Sequence, residues 1–213
     1  MTALDEVLAE HRLLPVLTVA GRPDGARLGG ALAAGGLPVA EVTLRVDGAL
    51  DALRAMADRD LVVGAGTVVT AEQVDLAVDA GARFVVSPGL SPAVVERCHS
   101  LAVPALPGIA TASELMQAFQ VGVETVKLFP ADLVGGPAAV KAFAAPFPTM
   151  RFVPTGGVRP AALSSYLSLP AVLAVGGSWL APRDVTAAGD WDEVTRRTRE
   201  ARQLIHEETD DRP

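Results

Sequence analysis

Lys127 stands in the middle of an apolar run, ETVKLFPA (124–131). Of the 18 Lys and Arg residues in the 213-residue chain, only Lys127 and Lys141 are lysines, so an amine at 127 is not a habit of the composition. A second run, EVTLR (41–45), alternates Glu41, Thr43 and Arg45 with Val42 and Leu44. Side chains of a strand alternate between its two faces, so the polar set of this run points opposite to the apolar, helix-facing set. In the other run Thr125, Lys127 and Phe129 share one face, and the same parity turns Lys127 inward. A carboxylic acid and an amine then share one interior. Desolvation offsets most of the attraction in a buried pair, which makes it a poor purely structural device. Chemistry gives both groups a role. A dry pocket favours the neutral form of an amine, and a neutral amine adds to a ketone to give a carbinolamine and then an iminium. The iminium is an electron sink for breaking the adjacent C–C bond, and a carboxyl group within reach moves the protons that each step requires. Arg45, two pleats beyond Glu41, suits bidentate binding of a carboxylate.

Positioning these groups requires a scaffold that brings distant strands together. Short β-rich runs recur at 14–20, 38–45, 61–68, 83–89, 103–110, 124–131, 151–157 and 171–180, each followed by a stretch with helical periodicity. Their regular spacing suits one strand plus one helix per repeat. Eight βα units predict a closed (β/α)8 barrel, a TIM barrel, with an additional helix at each terminus. An open nucleotide-binding sheet would show a differently spaced glycine-rich turn after the first strand. Thr70 with Gln73 and Thr111 with Glu114 read as capping boxes, and Ser91 before Pro92 reads as a helix N-cap. No linker breaks the composition, so 1–213 is expected to be a single domain, with 206–213 a frayed tail.

In such barrels the C-terminal strand ends build the active site. The runs FVPTGG (152–157) and VGGSWL (175–180) put paired glycines at the ends of the seventh and eighth strands, where backbone N–H groups can approach an anion, commonly a phosphate. Ser178 adds a hydroxyl, and Trp179 reads as packing. Composition narrows the class further. A net charge of −7 argues against a nucleic-acid surface but not against an anionic small molecule in a locally positive pocket. No apolar run is long enough to span a membrane, and the N-terminus lacks the pattern of a signal peptide, so a cytoplasmic location is expected. The single cysteine, Cys98, forms no internal disulfide, and its neighbour His99 points elsewhere on a helix.

With these positions assembled, the chain resembles the 2-keto-3-deoxy-6-phosphogluconate (KDPG) aldolase family, which also acts on 4-hydroxy-2-oxoglutarate (KHG). The matching stretches are EVTLR (41–45), GAGTV (64–68), SPG (87–89), PGIAT (107–111), VKLFPA (126–131), PTGG (154–157) and GGSWL (176–180). The resemblance implies a lyase without a cofactor, with Lys127 as the Schiff-base nucleophile and Glu41 as the proton shuttle. It implies that Arg45 and Thr67 hold the pyruvate carboxylate, and that Pro88 and Phe129 line the pyruvyl pocket. Thr155 matches a position that influences aldehyde stereochemistry, and Gly156, Gly157, Gly177 and Ser178 would approach the phosphate. It further implies a phosphorylated keto sugar acid as substrate and a homotrimer. The first βα turn, AGRPDGARLGG, and the acidic tail depart from the family pattern.

Three rival readings follow from the same residues. A metal-dependent aldolase would need convergent ligands, but His11, His99 and His206 all fall in expected helices. A non-catalytic sugar-acid binding barrel would have no need of both Lys127 and Glu41. A broader enzyme would use the same iminium on 4-hydroxy-2-oxoglutarate or oxaloacetate, and the 6-phosphogalactonate epimer is a further candidate substrate.

Overall fold

Every strand of this protein is short, and every strand pairing is parallel. The computed structural model describes residues 2–59 and 61–210, with side chains as far as 205. In chain order the strands are β1 (Leu13–Leu17), β2 (Val39–Thr43), β3 (Val62–Gly66), β4 (Phe84–Val86), β5 (Ala105–Leu106), β6 (Gly108–Ile109), β7 (Thr125–Leu128), β8 (Arg151–Pro154) and β9 (Val175–Gly177). The helices between them are α2 (Arg22–Ala34), α3 (Ala49–Ala57), α4 (Ala71–Asp79), α5 (Pro92–Ser100), α6 (Ala112–Gln120), α7 (Gly136–Ala144) and α8 (Leu163–Leu167). Helix α1 (Ala3–His11) precedes β1, while α9 (Arg183–Ala188) and α10 (Trp191–Asp210) follow β9. Of the tail expected to fray, residues 211–213 lie outside the described residues, as do the side chains from His206 onward.

One curled sheet runs β5-β4-β3-β2-β1-β9 and a second runs β6-β7-β8. Bridges Phe152↔Val172 and Thr155↔Gly176 link β8 to the β9 segment. The fifth expected strand is broken at Pro107, which has no N–H for a ladder. Leu106 on one side of the break pairs with Val86, and Gly108 on the other pairs with Lys127. The eighth expected run, 171–180, is strand only over Val175–Gly177.

Parallel strands covered by helices read as continuous apolar runs, and β2, β4 and β7 are buried at every position. Burial of a single Leu, Val or Phe contributes about 1.5–3 kcal/mol, and Phe84, Phe152, Leu17 and Leu53 are among the fully buried ones. The helix starts are locally specified. Thr111 and Glu114 form a complete capping box. Thr70 accepts from Gln73 N–H, but the Gln73 side-chain oxygen accepts from the N–H of Val69 rather than that of Thr70. Ser91 makes no side-chain cap, so that helix start rests on Pro92 instead. At α1 a capping box not anticipated from the sequence joins Thr2 and Asp5. The other carboxylate oxygen of Asp5 accepts from the Thr125 hydroxyl at 2.7 Å, which ties α1 to the N-terminal end of β7. Arg12, the left-handed C-cap of α1, donates to the carbonyls of Leu167, Val172 and Leu173.

Candidate active site

The C-terminal ends of β1, β2, β7, β8 and β9 converge around a cavity of about 530 Å³. Lys127 reaches it from β7 and is 4 % exposed, and Glu41 sits behind it on β2 with no exposure. The Lys127 Nζ donates to both Glu41 carboxylate oxygens, at 3.2 and 3.3 Å. The period-two argument placed these side chains on one interior from runs 86 residues apart, and the geometry bears it out. The Phe129 ring lies below the amine, its centroid 5.2 Å from Nζ, so the cation also meets an aromatic face.

Room for Glu41 is made by a neighbouring strand. A Cβ at Gly66 on β3 would collide with the Glu41 side chain, so the second glycine of GAGT is needed for close approach. The third inward residue of EVTLR behaves differently from the strand expectation. β2 ends at Thr43, whose hydroxyl donates to Leu17 O at 2.8 Å, and Arg45 lies beyond it in a turn. There the Arg45 Nε donates to the Thr67 hydroxyl at 3.0 Å. Thr67 holds φ +60°, a conformation that costs a β-branched residue of order 1–3 kcal/mol and that clusters at functional sites.

Of the residues singled out from sequence, Arg45, Lys127, Phe129, Thr155, Gly156, Gly157, Gly177 and Ser178 line the cavity. Glu41 enters through Lys127, and Thr67 through Arg45. Pro88 does not line the wall. It lies half-buried after β4, with its carbonyl packed against Gly108. Gly156 and Gly157 both have left-handed φ, +92° and +79°, a turn that aims successive N–H groups outward. Among the described residues no backbone carbonyl accepts from the Gly157 or Ser178 N–H. The Trp179 indole packs on Gly177, and its buried Nε1 has no hydrogen-bond partner among the described residues.

Val16, Thr18, Pro182 and Arg183 also line the cavity and were not identified from the sequence. Thr18 had a signal, as a polar residue at the end of the apolar run LPVLTVA. Arg183 had none, because its place depends on how α9 folds back after β9. No group of three or more His, Cys, Asp or Glu residues among those described is placed to hold a metal ion. No described helix is long and apolar enough to cross a membrane. Cys98 is fully buried in α5, and burial pushes its thiol up to about 11.

The family described as KDPG and KHG aldolase matches residues 4–197. A 2-dehydro-3-deoxy-phosphogluconate aldolase of Pseudomonas aeruginosa is 46% identical over 200 residues, which cover 93% of this chain and 91% of that one. Among solved structures, the KDPG aldolase of Legionella pneumophila, with pyruvate captured as a covalent carbinolamine intermediate, superposes with a TM-score of 0.90. It is 37% identical and covers 94% of this chain and 98% of its own. The 2-keto-3-deoxy-6-phosphogluconate aldolase of Zymomonas mobilis ZM4 with 3-phosphoglycerate gives a TM-score of 0.87 at 40% identity, covering 93% and 94% of the two chains.

Proposed function

Because the chain belongs to the KDPG and KHG aldolase family, we propose that it is a class I aldolase cleaving 2-keto-3-deoxy-6-phosphogluconate to pyruvate and glyceraldehyde 3-phosphate. The observation that carries this reading is the buried amine of Lys127 held 3.2 Å from Glu41 at the base of an open cavity. Transfer of one proton from Nζ to Glu41 leaves a neutral amine and a carboxylic acid in contact. The amine adds to the C2 ketone, Glu41 returns the proton to the carbinolamine hydroxyl, and water leaves to give the iminium. Glu41 then takes the proton of the C4 hydroxyl as the C3–C4 bond breaks and its electron pair enters the iminium. The aldehyde departs, Glu41 protonates C3 of the enamine, and water releases pyruvate and the free amine.

The remaining residues fix the substrate along this path. Arg45, oriented by Thr67, holds the carboxylate next to the reacting ketone, and the Phe129 ring packs against the pyruvyl carbons. Pro88 acts from behind, through the backbone it packs on. Thr155 faces the aldehyde half, and the Gly156–Gly157 and Gly177–Ser178 turns receive the phosphate. Continuity of the chain through Pro107 from β5 to β6 at one seam, and the bridges from β8 to the β9 segment at the other, support closure of the two sheets into a (β/α)8 barrel of one domain, with α1 and α10 as additions. Exposed Met116, Phe119 and Leu133 offer apolar surface for the family's homotrimer. A cytoplasmic enzyme fits this reading. The family description also names KHG, and the same iminium serves 4-hydroxy-2-oxoglutarate, so this unphosphorylated acid is the second substrate reading.

Incubation with pyruvate and borohydride tests the mechanism. One reduced pyruvyl group should appear, mapped to Lys127, with Lys127→Met unlabelled and its turnover down by about 10⁴-fold or more. Labelling at Lys141, or an active protein that never labels, overturns the Schiff-base reading.

A further inference from the structure

The cavity has three cationic side chains, and two of them already have partners in the structure. Lys127 is held by Glu41, and Arg45 donates to Thr67. The third, Arg183, makes no ion pair and no side-chain hydrogen bond among the described residues, although it lines the same wall as Gly156, Gly157 and Ser178. Its backbone is held in place. Pro182, also on the cavity wall, precedes it at φ −68°, and the Thr186 hydroxyl and N–H both return to the Pro182 carbonyl. The Thr186 hydroxyl also reaches Arg183 O at 3.2 Å.

Sheet order separates the two strands that lead to these arginines. Arg45 follows β2 and Arg183 follows β9, with β1 between those strands. Two interstrand steps put the ends of β2 and β9 about 10 Å apart, a span comparable with an extended six-carbon acid that carries a carboxylate at one end and a phosphate at the other. The phosphate end needs a cation. The glycine turn at 156–157 supplies only N–H dipoles, and the acidic residue Asp132 packs directly against Gly157. A dianion placed there meets that carboxylate unless a positive group offsets it.

We propose that Arg183 pairs with the terminal phosphate of the substrate and sets the preference for phosphorylated over unphosphorylated 2-keto acids, a role that rests on the aldolase reading above. A guanidinium binds phosphate through charge-assisted hydrogen bonds, and at an exposed cavity mouth salt screens part of that attraction.

The test compares wild type, Arg183→Ala and Arg183→Lys in kcat/KM with 2-keto-3-deoxy-6-phosphogluconate and with 4-hydroxy-2-oxoglutarate, at low and high salt. Arg183→Ala should lose about 5- to 20-fold on the phosphorylated substrate and less than about 2-fold on the other. Inhibition by inorganic phosphate should weaken by a similar factor. Arg183→Lys should recover part of the loss, and the alanine variant should lose most of the salt dependence seen in wild type. Equal losses on both substrates, or an unchanged preference in Arg183→Ala, overturn the assignment while leaving the aldolase reading intact. A wild type with no preference for the phosphorylated acid overturns the substrate reading and this assignment together. A wild type that does not trap pyruvate at Lys127 overturns the mechanism itself.

Discussion

Strand β7 presents two inward polar groups, two residues apart, and each meets a carboxylate from another element. At its N-terminal end Thr125 donates to Asp5 at 2.7 Å, and at its C-terminal end Lys127 donates to Glu41 at 3.2 and 3.3 Å. All four side chains are buried. The cavity at the lower end, about 620 Å³ and bordered by Leu4, Asp5, Val103, Val123 and Thr125, exceeds the 530 Å³ at the upper end. A still larger one of about 910 Å³ lies beside α1 and α3, among arginines partly neutralised by Asp51 and Asp58. Volume therefore does not locate the chemistry. The lower pair joins a hydroxyl to an acceptor that also caps its own helix, a closed set with no nucleophile. The upper pair joins an amine to a carboxyl group, the nucleophile and proton carrier of the proposed mechanism, and two guanidinium groups and two glycine turns border the space in front of them. One contact fastens α1 to the sheet, and the other can exchange a proton with something bound above it.

That contrast can be broken by exchanging what each pair is asked to do. Glu41→Gln keeps size and polarity but removes the proton carrier, so turnover should fall by about 10²–10⁴-fold while pyruvate trapping at Lys127 continues more slowly. Turnover near that of wild type would make the upper pair as structural as the lower one. Thr125→Val leaves the buried Asp5 short of a donor. It should lower unfolding free energy in urea by about 1–3 kcal/mol with kcat/KM within about twofold of wild type. A tenfold fall in kcat/KM at unchanged stability would instead tie the lower end to catalysis. The smallest effect is expected at Cys98, which belongs to neither pair. Burial raises its thiol to about 11, so the reactive thiolate is scarce at neutral pH. A thiol reagent should leave the native protein unlabelled and fully active, then label one group after denaturation. Inactivation by rapid native labelling would place Cys98 nearer to function than α5 allows.

Much of the site was legible before the fold because it rests on local rules. Alternation along EVTLR and ETVKLFPA placed Glu41 and Lys127 on interior faces, and the Thr111–Glu114 box marked a helix start that the structure contains. Other features escaped local rules for identifiable reasons. Arg45 lies past the end of β2 because the chain turns there, Leu44 N–H bonding to Gly66 O and Arg45 N–H to Thr43 O. The left-handed Thr67 is invisible to propensity, which disfavours a β-branched residue at positive φ. Ser91 has a capping residue type but makes no cap.

By itself the sequence determined the order of strands and helices, the parity of their faces and the presence of one amine and one carboxyl group on interior positions. These follow from periodicity and residue chemistry within a few residues. Only the tertiary structure decided which strand ends share a cavity. Lys127 meets Glu41, Arg45 meets Thr67, and Arg183 joins the glycine turns because the curvature of the sheet and the return of α9 bring them there. Contacts of that range depend on the packing of the whole core, and no local pattern carries them.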